Sequence, residues 1–445
     1  MRPGAEKHLD SAGVDGGPGT TDEVRGGLRR ADAAPLLAIV AVQIALFAWT
    51  IGTASERGLI PFGGLGVYYD GSFYIEIAKS FPLPYGPDAL DYTSHAPGYA
   101  LLIRAVKSVT PGGWVDWGMA ALLASWIPAV LASVAFWVLC REVGLEPLLP
   151  TLVFAFANPR WLQLAATAHS ASPAVLLAVL ALLAYYRGQV GRTALWLSLG
   201  TLARYPTLLS TAAIGFGLAV PHLVSGVGAR AVAATLRALP WRKLSLLTAP
   251  AVALAALNLY LYAIVPDFPG VWAAHAPFWD TPLGLTVPFS AAFEEFSKHW
   301  NRAAGQVLLS LGSLVVYAAA TLLAFWRSER RHWMLGAWVG VVLLFHSSLS
   351  GTHSFWEISR LAILAWPAAV LVFWLRFRGR RLVGLRAHLA VVPACAALAA
   401  CGLWFAQHNI GWAMLAQDKS ESLSRLRSDE PHFVNFRAER ERQPR

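Results

Sequence analysis

The chain has 445 residues, 56% of them hydrophobic and only 14% charged, against about 25% charged in an ordinary soluble domain. With a mean hydropathy of +0.49 and three cysteines, it cannot be a disordered chain or a disulfide-stapled scaffold, and it lacks the charged shell of a soluble core; an all-α, polytopic membrane bundle is predicted. Its net charge of +10 is scattered between apolar runs and not gathered into one patch, which is a topology pattern and not a nucleic-acid footprint.

Residues 1–34 are polar and glycine-rich and read as a disordered cytoplasmic tail. The first apolar run, Pro35–Gly52, is about long enough to span a bilayer and follows Arg25, Arg29 and Arg30, so the N-terminus is expected in the cytoplasm. A long outside loop, 53–113, comes next. Further apolar runs cover roughly 114–139, 149–168, 172–186, 193–220, 244–264, 303–326, 333–349, 358–375 and 388–406, with a second outside loop at 265–302. The run 193–220 carries Arg204-Tyr205-Pro206 at its centre and is expected to turn there, because proline disfavours helix before it and a charge is costly in lipid. Eleven membrane segments result, forming one domain over 35–406, followed by a polar tail, 407–445, placed outside. The inside connections then hold fifteen basic residues and the two outside loops six, in keeping with the positive-inside rule. Thirty arginines against six lysines point to a GC-rich bacterial genome and so to a bacterial plasma membrane. No internal repeat is evident, which speaks against a transporter built from inverted halves.

Within the first outside loop, Tyr74, Ile77, Ala78 and Phe81 recur at helical spacing opposite Ser72, Glu76 and Lys79, predicting a short helix along the membrane surface with Asp70 at its start. In the second, Phe289, Phe293, Phe296 and Trp300 oppose Glu294, Glu295 and Lys298. Two interfacial helices at one end of a bundle can wall a cavity open to lipid and water, suited to a ligand with a greasy tail and a polar head.

These features resemble the GT-C superfamily of integral-membrane glycosyltransferases, most nearly the bacterial relatives of the GPI mannosyltransferase (PIG-V-like) family. The resemblance covers about residues 35–375. It is carried by Tyr69-Asp70-Gly71 leading through Phe73 and Tyr74 to Ile77-Ala78, by His95-Ala96-Pro97-Gly98-Tyr99, by His169-Ser170-Ala171-Ser172, by Ala203-Arg204-Tyr205-Pro206, and by Ser359-Arg360 ahead of Trp366-Pro367. The family pattern has tryptophan where Tyr69 stands and glutamate where Ala171 stands. The resemblance implies transfer of a sugar, mannose or another hexose or pentose, from a polyprenyl-phosphate donor to a hydroxyl of a lipid or glycan acceptor on the extracytoplasmic side.

That chemistry passes through an oxocarbenium-like state. A phosphate leaving group is already a stable anion, so cations can hold it and no general acid is required. One carboxylate then suffices to accept the acceptor's proton, and a single displacement inverts the anomeric centre. Asp70 is the candidate base, with a helix N-cap as its plainer role. Arg204 and Arg360 are candidate phosphate clamps, with snorkelling as the alternative. His95, His169 and Tyr74 are candidate substrate-binding residues. Arg160 is a weaker candidate, or the partner of a kinked helix. Asp88 and Asp91, or His346 with His353 and Glu357, leave a divalent cation open, although no metal site or cofactor is called for. Neither a phosphate-binding GxxxxGK[ST] nor an HExxH sequence occurs. A multi-pass transporter or lipid-linked glycan flippase is the alternative reading, and it predicts the arginines at mid-depth. A non-catalytic assembly subunit would leave Asp70 and the arginines apart.

Overall fold

The computed structural model describes residues 30–56, 70–81, 92–110, 115–223, 229–271, 273, 304–326, 329–348, 359–377, 391–401, 404 and 429. All regular elements among these residues are helical. They are α1 (Ala33–Glu56), α2 (Gly71–Ser80), α3 (Pro97–Val109), α4 (Trp117–Glu142), α5 (Leu148–Phe156), α6 (Pro159–Ala166), α7 (Ala171–Tyr186), α8 (Val190–Ala203), α9 (Leu208–Ala219), α10 (Ala229–Ala238), α11 (Trp241–Leu246), α12 (Ala249–Ile264), α13 (Ala304–Phe325), α14 (Trp333–Ser347), α15 (Trp366–Phe377) and α16 (Val391–Cys401). Four stretches are long and apolar enough to cross a membrane: Arg30–Gly52, Trp117–Glu142, Trp241–Ile264 and Ser359–Arg376. The pair α6–α7, bent by 117°, makes a fifth if counted as one broken span. The protein is thus a multi-pass membrane protein, and several of the eleven expected segments are short or broken.

Two breaks define the working end of the bundle. The expected run 149–168 is not one helix. Asn158 stops it, its side chain accepting the Arg160 and Trp161 N–H groups at 3.0 and 3.1 Å, and Pro159 fills the first turn of α6, where a missing N–H costs nothing. The second break is the expected one. α8 ends at Ala203, a 3-10 turn spans Tyr205–Thr207, and α9 resumes at Leu208.

Alanine lets the helices close. Ala129 and Ala132 of α4 and Ala174, Ala178 and Ala181 of α7 are fully buried, and small side chains supply the close packing that lipid does not drive by itself. Phe136, Phe154, Trp161 and Trp338 fill the wider gaps. At Gly98 the approach is tighter still. A Cβ there would lie 2.7 Å from the Leu202 carbonyl oxygen, so α3 crosses the end of α8 backbone against backbone.

The helix α2 departs from its expected surface role. Glu76 and Lys79 do not face water: they are 7% and 9% exposed and pair with each other at 3.1 Å. The reason is that α3 and α4 both pack on α2, and Arg104 of α3 donates to the Ala78 and Phe81 carbonyls, satisfying the groups a helix C-terminus leaves over. At the far end of the bundle, Asp32 pairs with Arg141 and Glu142 with Arg187.

Candidate active site at the Asp70 end of the bundle

Asp70 immediately precedes α2. Its carbonyl accepts the Tyr74 N–H at 3.2 Å, but its side chain makes no cap bond. The carboxylate turns into the bundle. Arg360 Nη1 donates to Asp70 Oδ2 at 3.3 Å, and His169 Nε2 stands 3.7 Å from the same oxygen. Arg360 comes from just ahead of the 3-10 turn Ala362–Ala365, and His169 from the break between α6 and α7. His169 Nδ1 accepts the Ala171 N–H at 3.0 Å, so the proton of the neutral ring sits on Nε2, aimed at Asp70.

Ser170, next to His169 in the chain, brings the second arginine alongside by linking it to Tyr74. Its Oγ accepts from the Tyr74 hydroxyl at 3.0 Å and from Arg204 Nη1 at 3.4 Å. Arg204 has extended backbone where α8 gives way to the 3-10 turn, which directs its side chain away from both helix axes. His95 closes the group. Its ring stacks on Phe73 at 4.7 Å and meets Tyr74 edge-on at 5.2 Å, while Nδ1 lies 3.0 Å from Ser94 Oγ. The Tyr205 hydroxyl donates to the Thr93 and His95 carbonyls at 3.3 and 3.4 Å, fixing that loop to the helix break.

The electrostatics follow from burial and these neighbours. Burial by itself would raise the Asp70 carboxyl. The Arg360 and Arg204 guanidiniums, with the His95 and His169 rings turned toward the carboxylate, outweigh it and hold the group well below the usual carboxylate range. Burial also pushes the His95 imidazole down, against the pull of Asp70, so it is neutral at physiological pH. Burial, with the nearby Asp70 charge, pushes the Tyr74 phenol up to about 12. The site is therefore a fixed anion facing guanidinium groups, lined by neutral donors.

All six residues singled out from the sequence, Asp70, Tyr74, His95, His169, Arg204 and Arg360, come together here. Ser170, the hub, was not among them; it sits beside His169 in the same quoted motif. Arg160 turns out to be structural support one layer deeper, donating to Gln163 Oε1 at 2.6 Å and to Ser359 Oγ at 3.1 Å, next to Arg360. His346 is buried in α14. Asp88, Asp91, His353, Glu357 and the expected helix of the second outside loop lie outside the described residues. Among the described residues, no three His, Cys, Asp or Glu side chains form a metal-binding group.

No protein-family profile and no curated protein sequence matches the chain. Among solved structures, it is similar to ArnT from Cupriavidus metallidurans bound to undecaprenyl phosphate, at 15% identity and a TM-score of 0.49, over 89% of this chain and 79% of that one. It is also similar to the archaeal oligosaccharyltransferase AglB from Archaeoglobus fulgidus in complex with an inhibitory peptide and a dolichol-phosphate, at 14% identity and a TM-score of 0.44, over 88% of this chain and 56% of that one. Likeness at this level leaves the function to be argued from the site.

Proposed function

We propose that the protein is a membrane glycosyltransferase of GT-C type. It moves a sugar from a polyprenyl-phosphate donor to a hydroxyl of a lipid or glycan acceptor on the extracytoplasmic side, with inversion. The observation that carries the reading is the Asp70 carboxylate, 14% exposed and bonded to Arg360, with Arg204 held close by through Ser170 and Tyr74, at the end of a membrane bundle.

The donor phosphate is held by the two guanidiniums, which bind phosphate oxygens through paired N–H groups at any working pH. Asp70 accepts the acceptor's proton. Its low proton affinity is set by the charges of Arg360 and Arg204 and is no obstacle. Once a phosphate shares the guanidiniums, their pull on Asp70 weakens while burial remains, and its basicity rises where it is needed. The neutral His169, Ser170 and Tyr74 supply donors for sugar hydroxyls, and His95 holds the Tyr74 ring. Mannose and the bacterial plasma membrane are carried over from the family resemblance and the composition.

A groove supports the lipid part. A cavity of about 970 Å³ runs between α3, α4, α7, α8 and α12, lined by Leu101, Leu123, Ile127, Leu176 and Leu199. Its walls include Pro97 and Ala203, the neighbours in sequence of the loop carrying His95 and of Arg204. A prenyl chain lying there brings its phosphate beside Arg204. The flippase alternative calls for arginines at mid-depth and away from Asp70, whereas Arg360 bonds Asp70 and stands at the first turn of its apolar stretch, Ser359–Arg376.

The test is turnover by purified protein in nanodiscs with a panel of polyprenyl-phosphate hexoses and pentoses, read by mass spectrometry of the released polyprenyl phosphate. Transfer or hydrolysis of one donor, lost in Asp70→Asn, is the expected outcome. Full activity in Asp70→Asn would remove Asp70 from its role, and transbilayer movement of intact donor without cleavage would replace the transferase by a flippase.

A further inference from the structure

At the opposite ends of the same helices lies a second cavity, of about 450 Å³. α7 begins beside Ser170 and ends at Tyr186, in this cavity's wall. Its 16 residues set the two places about 24 Å apart at 1.5 Å per residue, close to the thickness of a bilayer's hydrocarbon core. The second cavity is therefore at the other membrane face, the cytoplasmic one on the topology read from charge placement.

Its lining is polar and basic. Lys243 comes from α11, His222 from the 3-10 turn Val220–His222 after α9, and His332 from the turn before α14. Tyr185 and Tyr186 come from the end of α7. Lys243 and His222 have no ion pair or side-chain hydrogen bond among the described residues. The one acid in the lining, Glu142, accepts from Arg187 Nε at 2.9 Å. A lysine with an acidic neighbour already committed elsewhere leaves positive charge for an incoming anion. Gly217 keeps the floor open: a Cβ there would come within 2.6 Å of the Tyr185 hydroxyl.

The surroundings point to lipid as the source of that anion. Leu223, Trp241 and Leu246 flank the basic residues and are 47%, 57% and 46% exposed. Between them runs α10, with Val232 and Leu236 on one face and Arg237 at an opposite helical position, the pattern of a helix lying in a membrane interface. A soluble anion would need none of this apolar flank, whereas acyl chains would cover it.

We propose that this cavity is a binding site for the phosphodiester headgroup of an anionic phospholipid in the leaflet opposite the Asp70 site. Lys243 is the main anion contact, His222 and the Tyr185 hydroxyl add hydrogen bonds, and the acyl chains lie along Leu223 and Leu246. The lipid ties α11 to the ends of α4 and α7. This site does not depend on the transferase reading.

Full-length protein in nanodiscs of phosphatidylcholine with or without a quarter phosphatidylglycerol provides the test, read by native mass spectrometry of retained lipid and by melting temperature. Wild type should retain phosphatidylglycerol and melt higher in its presence. Lys243→Glu should retain about fivefold less, the equivalent of roughly 1 kcal/mol for one basic group, with Lys243→Arg restoring it. Arg242→Glu, one residue away and outside the lining, should lose little. Equal loss in Arg242→Glu and Lys243→Glu would reduce the effect to surface charge and overturn the site. So would equal retention of both lipids by wild type. Displacement of the lipid by millimolar inorganic phosphate or glycerol phosphate would overturn the lipid as the natural occupant. A circular-dichroism spectrum matching wild type establishes that Lys243→Glu is folded, and Lys243→Ala serves in its place if it is not.

Discussion

The two ends of the bundle each hold a carboxylate–guanidinium pair, and they differ in an instructive way. Glu142 and Arg187 meet at 2.9 Å with side chains 21% and 34% exposed. Asp70 and Arg360 meet at the longer 3.3 Å, 14% and 6% exposed. Distance alone would rank the first pair higher. Environment reverses the order. Water and salt already solvate the surface pair, so each partner can do without the other. The buried pair has given up its hydration, and removing one partner strands a charge. Glu142–Arg187 is a convenience of the surface; Asp70–Arg360 is a commitment made by residues that the fold brings from opposite ends of the chain.

The sharpest way to break this comparison is to neutralise each acid. Asp70→Asn keeps shape and should lower turnover by about 10²–10⁴-fold, the range for loss of a general base, while Glu142→Gln should leave turnover unchanged. Comparable losses in both variants would mean that the two ends do not differ in the proposed way. Removing the cation comes next. Arg360→Ala leaves the Asp70 carboxylate buried beside weaker partners and should cost about 3–5 kcal/mol of stability, read as a lower melting temperature in detergent, with Arg360→Lys recovering part of it.

The pH dependence follows from the direction of the Asp70 shift. The folded-state value lies below the ordinary 3.8. The contribution of Asp70 to stability is therefore complete well above that value and is lost as pH falls below it, through the folded-state value. Melting temperature measured from pH 6 down to 3 should fall more steeply for wild type than for Asp70→Asn. Arg360→Ala should make the fall shallower, because burial, the largest influence on the carboxyl, then meets less opposition and the folded-state value rises toward the unfolded one.

What the sequence made legible divides along the same line. Local backbone chemistry announced the α8–α9 break: Arg204-Tyr205-Pro206 cannot sit quietly inside a straight apolar helix. The convergence of Asp70, Arg204 and Arg360 was legible through motif order, since each stands at an expected outside end. The burial of Glu76 and Lys79 was not. An amphipathic period marks a polar face but carries no sign that a second helix will cover it and let its charges pair. Nor did the run 149–168 reveal that Asn158 would cap a new helix, although the Asn158-Pro159 pair held the cue. The Arg160–Ser359 bond could not be read at all, because it depends on which helices become neighbours.

Packing gives an intermediate effect. Gly98→Val would drive its side chain into the Leu202 carbonyl and push α3 off α8, at about 1–3 kcal/mol if the helices can adjust. Since α3 leads out of the loop carrying His95, turnover should fall along with stability. Val at Gly191 is the control, because a Cβ there meets nothing within 4 Å, and it should be nearly silent in both readouts.

The smallest effect closes the comparison. Arg187→Ala removes the partner of Glu142 at the surface and should cost only about 0.2–1 kcal/mol. Because both groups are reached by ions, that cost should shrink further as salt is raised from 0.05 to about 0.5 M, where the screening length falls well below 10 Å. The cost of Arg360→Ala should change little over the same range, since ions do not enter its surroundings. Melting curves of the two variants against wild type across that salt series measure the difference directly. If the Arg360→Ala penalty were screened as readily as that of Arg187→Ala, Asp70 would be solvated like any surface acid, and neither its low proton affinity nor its place opposite a donor phosphate could be maintained.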